Sequence, residues 1–97
     1  MARVVWTEPA LGDLDAIADY IALDNPGAAV ALVKRVFARV DHLRRFPNSG
    51  TRPREFPGKR YRQLVEPPCR IFYRVSGRTV LIVHIMRAEQ RLRRKRL

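Results

Sequence analysis

Acidic residues are scarce in this chain. Nine Asp and Glu face twenty Lys and Arg among 97 residues, a formal net charge of +11 with a pI near 11.4. That excess demands an anionic partner: nucleic acid, another phosphate-rich surface or an acidic protein. Cysteine is nearly absent too. Cys69 alone forbids an internal disulfide and a cysteine cluster, so neither metal nor cofactor is expected, and the composition suits a reducing cytoplasm. No apolar run reaches membrane-spanning length, and Val4 to Trp6 is too short even for a signal-peptide core. The chain therefore reads as soluble and cytoplasmic, without membrane contact. Its length leaves room for one domain, residues 1–97, with a basic C-terminal tail over 88–97.

The shortage of acid is local. Residues 1–43 hold four basic and six acidic side chains, a net of −2, whereas residues 44–97 hold sixteen and three, a net of +13. The first half reads as solvated scaffold and the second as the working surface.

Periodicity supplies the order of elements. Arg3 to Trp6 is a β-branched run that predicts a short strand. Thr7 offers a capping hydroxyl, Pro9 suits a first helical turn, and Leu14, Ile17, Ala18 and Ile21 recur at helical spacing. A helix is therefore expected from Glu8 to about Leu23, with Asp13, Asp15 and Asp19 toward water. Asn25-Pro26 restarts the pattern, and Val33, Val36, Phe37 and Val40 carry a second helix to a stop near Phe46-Pro47. So short a connection folds the two helices into an antiparallel hairpin. The Pro-, Gly- and Arg-rich segment from Pro47 to Gly58 predicts an exposed loop tied at its ends by Phe46 and Phe56. Strands are expected over Tyr61 to Val65, Arg70 to Val75 and Thr79 to Met86, the last two joined by a tight turn with Gly77 at positive φ. The fold class is α+β, with a helix hairpin packed on a small antiparallel sheet.

Strand parity then sorts the side chains. Ile71, Tyr73 and Val75 share the face under the hairpin, while Arg70 and Arg74 flank Phe72 on the other. Arg62 is expected to join them from the neighbouring strand, and the last strand to end in Arg87. The result is a basic, partly concave face beside a tail carrying Arg91, Arg93 and Arg94.

Several stretches taken in order resemble one family. They are the opening WTEPALGDLDAIADYI, the NP before the second helix, the helix exit FPNSG, the segment YRQLVEPPCRIFYRV and the closing strand that ends in Arg87. Over almost the whole chain these resemble the RelE/ParE superfamily of toxins from bacterial type II toxin-antitoxin systems, and ParE more closely. The resemblance implies two helices against an antiparallel sheet, silenced by a cognate acidic antitoxin whose DNA-binding domain gives the complex an indirect contact with DNA. It also implies one of two targets. ParE-like members inhibit DNA gyrase and are not enzymes; RelE-like members are endoribonucleases that cut mRNA in the ribosome. Arg70 and Arg87 match the arginines with which the nuclease group holds a phosphate. Residues 88–97, however, contain no Tyr or His for the family's C-terminal acid/base role, and arginine holds its proton too tightly to replace them.

No catalytic residue is assigned on this reading. Arg62, Arg70, Arg74, Arg87, Arg91, Arg93 and Arg94 are the candidates for binding the target or the antitoxin. His84 reads as a hydrogen-bonded core histidine, Cys69 as a small core residue, and Trp6 and Phe37 as core.

Overall fold

The computed structural model describes residues 1–57 and 60–88. Four strands and two helices follow one another as β1 (Arg3–Trp6), α1 (Glu8–Ala22), α2 (Pro26–Asp41), β2 (Tyr61–Glu66), β3 (Cys69–Ser76) and β4 (Thr79–Arg87). Both helices start as their caps require. The Thr7 hydroxyl accepts from the Ala10 amide at 3.3 Å and the Asn25 side chain from the Ala28 amide at 3.0 Å, each just ahead of a proline in the first turn. The second helix stops earlier than its periodicity predicts, at Asp41, and tightens into a 3-10 turn over His42–Arg44 that buries Leu43.

The strand order is β1-β4-β3-β2. Strands β2, β3 and β4 form the expected antiparallel meander, with Gly77 at φ +59° in its second turn. The first strand adds to β4 in parallel, which makes the sheet mixed. Parallel pairing follows from the connection: two helices and a meander separate β1 from β4, so no hairpin constrains their relative direction.

One sheet face buries the main core. Ala10, Leu14 and Ile17 of α1 and Leu32, Val36 and Val40 of α2 pack on Leu64, Ile71, Tyr73, Val80, Ile82 and Ile85. The face opposite is also covered. Phe56 folds back on Phe72 and Met86, with Tyr61 and Val83 beside them, and Phe72 is fully buried. The expectation of an open concave face around Phe72 is thus corrected: an aromatic side chain left there would expose a large apolar area to water, and the loop removes it. The apolar run of β4 serves both faces because register slips at Phe72/Tyr73. Phe72 pairs with His84 but Tyr73 with Ile82, so Val83 is an extra residue that reverses the alternation.

Two other expectations are corrected. Asp13 turns inward instead of facing water. Strand β1 pairs with β4 only as far as Trp6 and Ile82, which leaves the next stretch of the β4 edge without a strand neighbour. The Asp13 carboxylate takes that place, accepting the Ile85 amide at 3.0 Å and the His84 ring at 2.5 Å. Phe37 is 42% exposed, lying against Trp6 with ring centroids 4.8 Å apart.

Candidate target-binding surface

Four of the sequence-predicted arginines lie among the described residues, and the fold separates them. Arg70 faces the Phe56 side. Its Nε donates to Gln63 Oε1 at 2.9 Å, and its two terminal nitrogens donate to the two Glu55 oxygens at 2.9 and 3.0 Å. The guanidinium also lies 4.8 Å from the centroid of Phe72. A bidentate carboxylate, a neutral acceptor and a ring face together engage all three nitrogens, and only 15% of the side chain is exposed. The expectation of Arg70 as an outward charge is corrected: a glutamate of the same chain already neutralises it. The pairing acts on Glu55 in turn. The hydrogen bond from Arg70 holds its carboxyl below the usual glutamate range, against a burial penalty that pushes the other way.

Arg74 is exposed on the Arg70 side, paired in register with Tyr61 and Leu81. Arg62 is not. It pairs in register with Tyr73, so it shares the helix-side face, and its guanidinium donates to the Gly50 carbonyl at 2.9 Å. Arg87 likewise pairs with Cys69, a residue of the main core, and lies 4.8 Å over the Tyr20 ring of α1. Arg70 and Arg87 therefore stand on opposite faces of the sheet and do not converge on one phosphate. Alternation along β3 places its own side chains, whereas the faces of Arg62 and Arg87 depend on the register between strands, which a single strand does not disclose. Arg91, Arg93 and Arg94 lie outside the described residues.

Two groups of the sheet that could transfer a proton, Tyr73 and His84, are embedded; Tyr61 of β2 is half-buried against Phe56, and Tyr20 of α1 and His42 of the 3-10 turn are exposed. Tyr73 is fully buried, and its hydroxyl accepts the Gly50 amide at 2.8 Å. Burial pushes its phenol above the ordinary tyrosine range, with the Gly50 amide and nearby Arg62 opposing. His84 is 6% exposed and stacked on Phe72, with centroids 5.9 Å apart. Its bond to the Asp13 carboxylate, which only accepts, places a proton on Nδ1; Nε2 is buried and meets no hydrogen-bond partner among the described residues.

Sequence reasoning missed the segment that organises all this. Gly50 is buried at a point where an added Cβ would lie 2.6 Å from the Tyr73 hydroxyl and 2.7 Å from the Gln63 carbonyl. On either side, Thr51 and Gln63 exchange two backbone hydrogen bonds at 2.7 and 3.0 Å. The loop expected to be tied only at its ends is thus sewn to β2 within its length, at Thr51, with Phe56 buried as its far anchor and Phe46 left 52% exposed. The visible signal was a glycine flanked by polar residues ahead of a strand, which marks close backbone approach as readily as a turn.

Comparison with known proteins agrees with this architecture. The family model described as "ParE toxin of type II toxin-antitoxin system, parDE" matches residues 4–92. The protein named "Putative toxin Y4kP" of Sinorhizobium fredii is 42% identical over 88 residues, covering 91% of this chain and 90% of the relative. Toxin RelE2 of Caulobacter vibrioides is 40% identical over 89 residues, covering 91% and 97%. Among solved structures, a chain of the chromosomal ParDE toxin-antitoxin system from P. aeruginosa superposes with a TM-score of 0.74 at 37% identity, over 90% of this chain and 96% of that one. A chain of the RelBE2 toxin-antitoxin complex from Mycobacterium tuberculosis shares the fold, with a TM-score of 0.59 at 24% identity over 89% and 96%. With the family model spanning nearly the whole sequence and the helix hairpin and sheet matching in space, the chain belongs to the ParE toxin family of type II toxin-antitoxin systems, within the RelE/ParE superfamily.

Proposed function

We propose that this toxin acts in the cytoplasm by inhibiting DNA gyrase, and that a cognate acidic antitoxin neutralises it. The observation that carries the choice of target is the state of the proton-transfer groups. Cleavage of RNA through its 2′-hydroxyl calls for one group to take a proton and another to give one, each contributing roughly 10² to 10⁴ in rate. Tyr73 is buried with a raised pKa and His84 is buried against Asp13. Tyr61, on the face of Arg70 and Arg74, is half-buried against Phe56, and the exposed Tyr20 and His42 belong to the helix side; what surrounds that sheet face is arginine, which suits binding and electrostatic clamping. The partner is supported by the same charge, since +13 over residues 44–97 calls for anions, and by solved relatives that come from toxin-antitoxin systems.

The purified toxin is expected to inhibit gyrase supercoiling, accumulate cleaved DNA, and leave mRNA in programmed ribosomes intact. Position-specific cuts in ribosome-bound mRNA with unaffected supercoiling would instead identify a RelE-like endoribonuclease.

A further inference from the structure

Residues 44–62 hold seven Lys and Arg against one acidic residue, Glu55, and Glu55 is bound to Arg70. Three of those arginines, Arg52, Arg60 and Arg62, line a concavity of about 280 Å³ together with Asn48 and Val75. Like charges gathered about one small space repel unless water or a counter-anion intervenes. Most such clusters are mobile surface charge. This one is built on a fixed backbone, although the side chains of Asn48, Arg52 and Arg60 are themselves exposed. Arg62 is held by the Gly50 carbonyl, the Gly50 amide by Tyr73, and Thr51 by Gln63 on both its backbone groups, while the Ser49 amide donates to the Phe46 carbonyl at 3.1 Å. Asn48 and Arg52 therefore project from a segment whose position is set by β2, and a site built in advance loses little entropy when it is filled.

Size and lining define the occupant. The volume lies just below the roughly 300 to 1,000 Å³ of small-molecule pockets, which are mainly apolar. A compact anion with several acceptor oxygens matches it better than an organic ligand. Guanidinium forks pair with phosphate oxygens two at a time, and an amide such as Asn48 adds a donor. A carboxylate is the weaker match, because a single guanidinium fork takes up both of its oxygens, as Arg70 does with Glu55. We infer that the concavity of Asn48, Arg52, Arg60 and Arg62 is a phosphate-binding site through which the toxin itself holds a nucleic-acid backbone. The site is independent of the choice between gyrase and ribosome, since its ligand is the phosphodiester common to both settings, and it differs from DNA contact made through an antitoxin. Contacts of this kind fix register on the backbone without reading sequence.

The test uses the full-length chain and short fluorescent probes, a DNA duplex and a single-stranded RNA of equal length, with anisotropy read across a salt titration. R52Q/R60Q is compared with R3Q/K34Q, which removes the same charge from the opposite sheet edge and from α2; the tail is identical in both. Arg62 is left in place because it anchors Gly50. Loss of one phosphate contact flattens the plot of log affinity against log salt by about 0.9. R52Q/R60Q is accordingly expected to flatten it by about 1 and to weaken DNA binding roughly 10-fold at low salt, while R3Q/K34Q changes affinity less than about 2-fold. Thermal melts of both variants are expected to match the parent. Equal losses in the two variants would mean that net charge alone is sensed, and would overturn the site. A loss confined to RNA assigns the phosphodiester to RNA, and a loss with both probes assigns it to the backbone regardless of sugar; either sustains the site. Displacement of the duplex by an acidic peptide as efficiently as by unlabelled duplex would reassign the concavity to a protein carboxylate and overturn the proposal.

Discussion

Arg70 and Arg62 sit on adjacent strands, yet their situations are opposite. Arg70 is neutralised by Glu55, capped by Gln63 and laid on Phe72. Arg62 is held by a neutral carbonyl and faces a concavity lined by two other arginines. In one region positive charge is neutralised by a carboxylate; in the other the fold gathers three arginines about one concavity. Net charge therefore overstates the working surface. The same division runs through the whole sheet, with the helix hairpin on one face and a single loop crossing on the other.

The severest challenge to that division is removal of the thin cover's anchor. If the loop side is a true second core, Phe72→Ala is expected to destabilise by about 3 to 5 kcal/mol, as a buried aromatic does. A drop in denaturant midpoint equivalent to less than about 1 kcal/mol would mark the Phe56 cover as loose surface. Next in size is Gly50→Ala. Its new methyl would collide with a hydroxyl and a backbone carbonyl, and the shift needed to relieve both is expected to cost about 2 to 3 kcal/mol. Chemical unfolding reads this directly, and an unchanged midpoint would show that the loop is not sewn to β2. Asp13→Ala removes the acceptor shared by His84 and Ile85. An expected loss of about 2 kcal/mol follows from two buried donors left unsatisfied, with the accelerated amide exchange of Ile85 as its local signature.

The smallest effect concerns Glu55→Gln, and its sign depends on pH. Because the folded carboxyl titrates below its ordinary range, the Arg70 pair stabilises the protein fully above that range and loses its contribution as pH falls through the lowered folded value. The parent is expected to exceed the variant by about 1 kcal/mol at neutral pH, the pair being partly exposed. The gap should close on acidification. A gap that persists in acid would assign the effect to packing.

How much of this was legible follows from the range over which each signal acts. The caps at Thr7 and Asn25, the helix stripes apart from Phe37 and the Gly77 turn are written in neighbouring residues, and these appear where expected. The burial of Ile71 and Tyr73 beneath the helices was legible for the same reason: alternation along one strand is a local rule. The inward turn of Asp13 was not, because it answers a gap in the β4 edge 71 residues away. Glu55 facing Arg70 depends on where a loop crosses a sheet, and Arg62 turning from Arg70 depends on register between strands. Neither is encoded in any short window.

Parallel pairing of β1 with β4 has a kinetic consequence. The first strand meets its partner only when the last has formed, and the bonds of Thr7 and Asp13 to β4 span 71 to 75 residues of a 97-residue chain. Loop closure over such distances is slow. Helix hairpin and meander are each local enough to form early, but their union awaits β4. A chain interrupted before that strand has nothing on which β1 can close and lacks Val80, Ile82 and Ile85 from its main core, so the core closes only once residues 79–87 have been made.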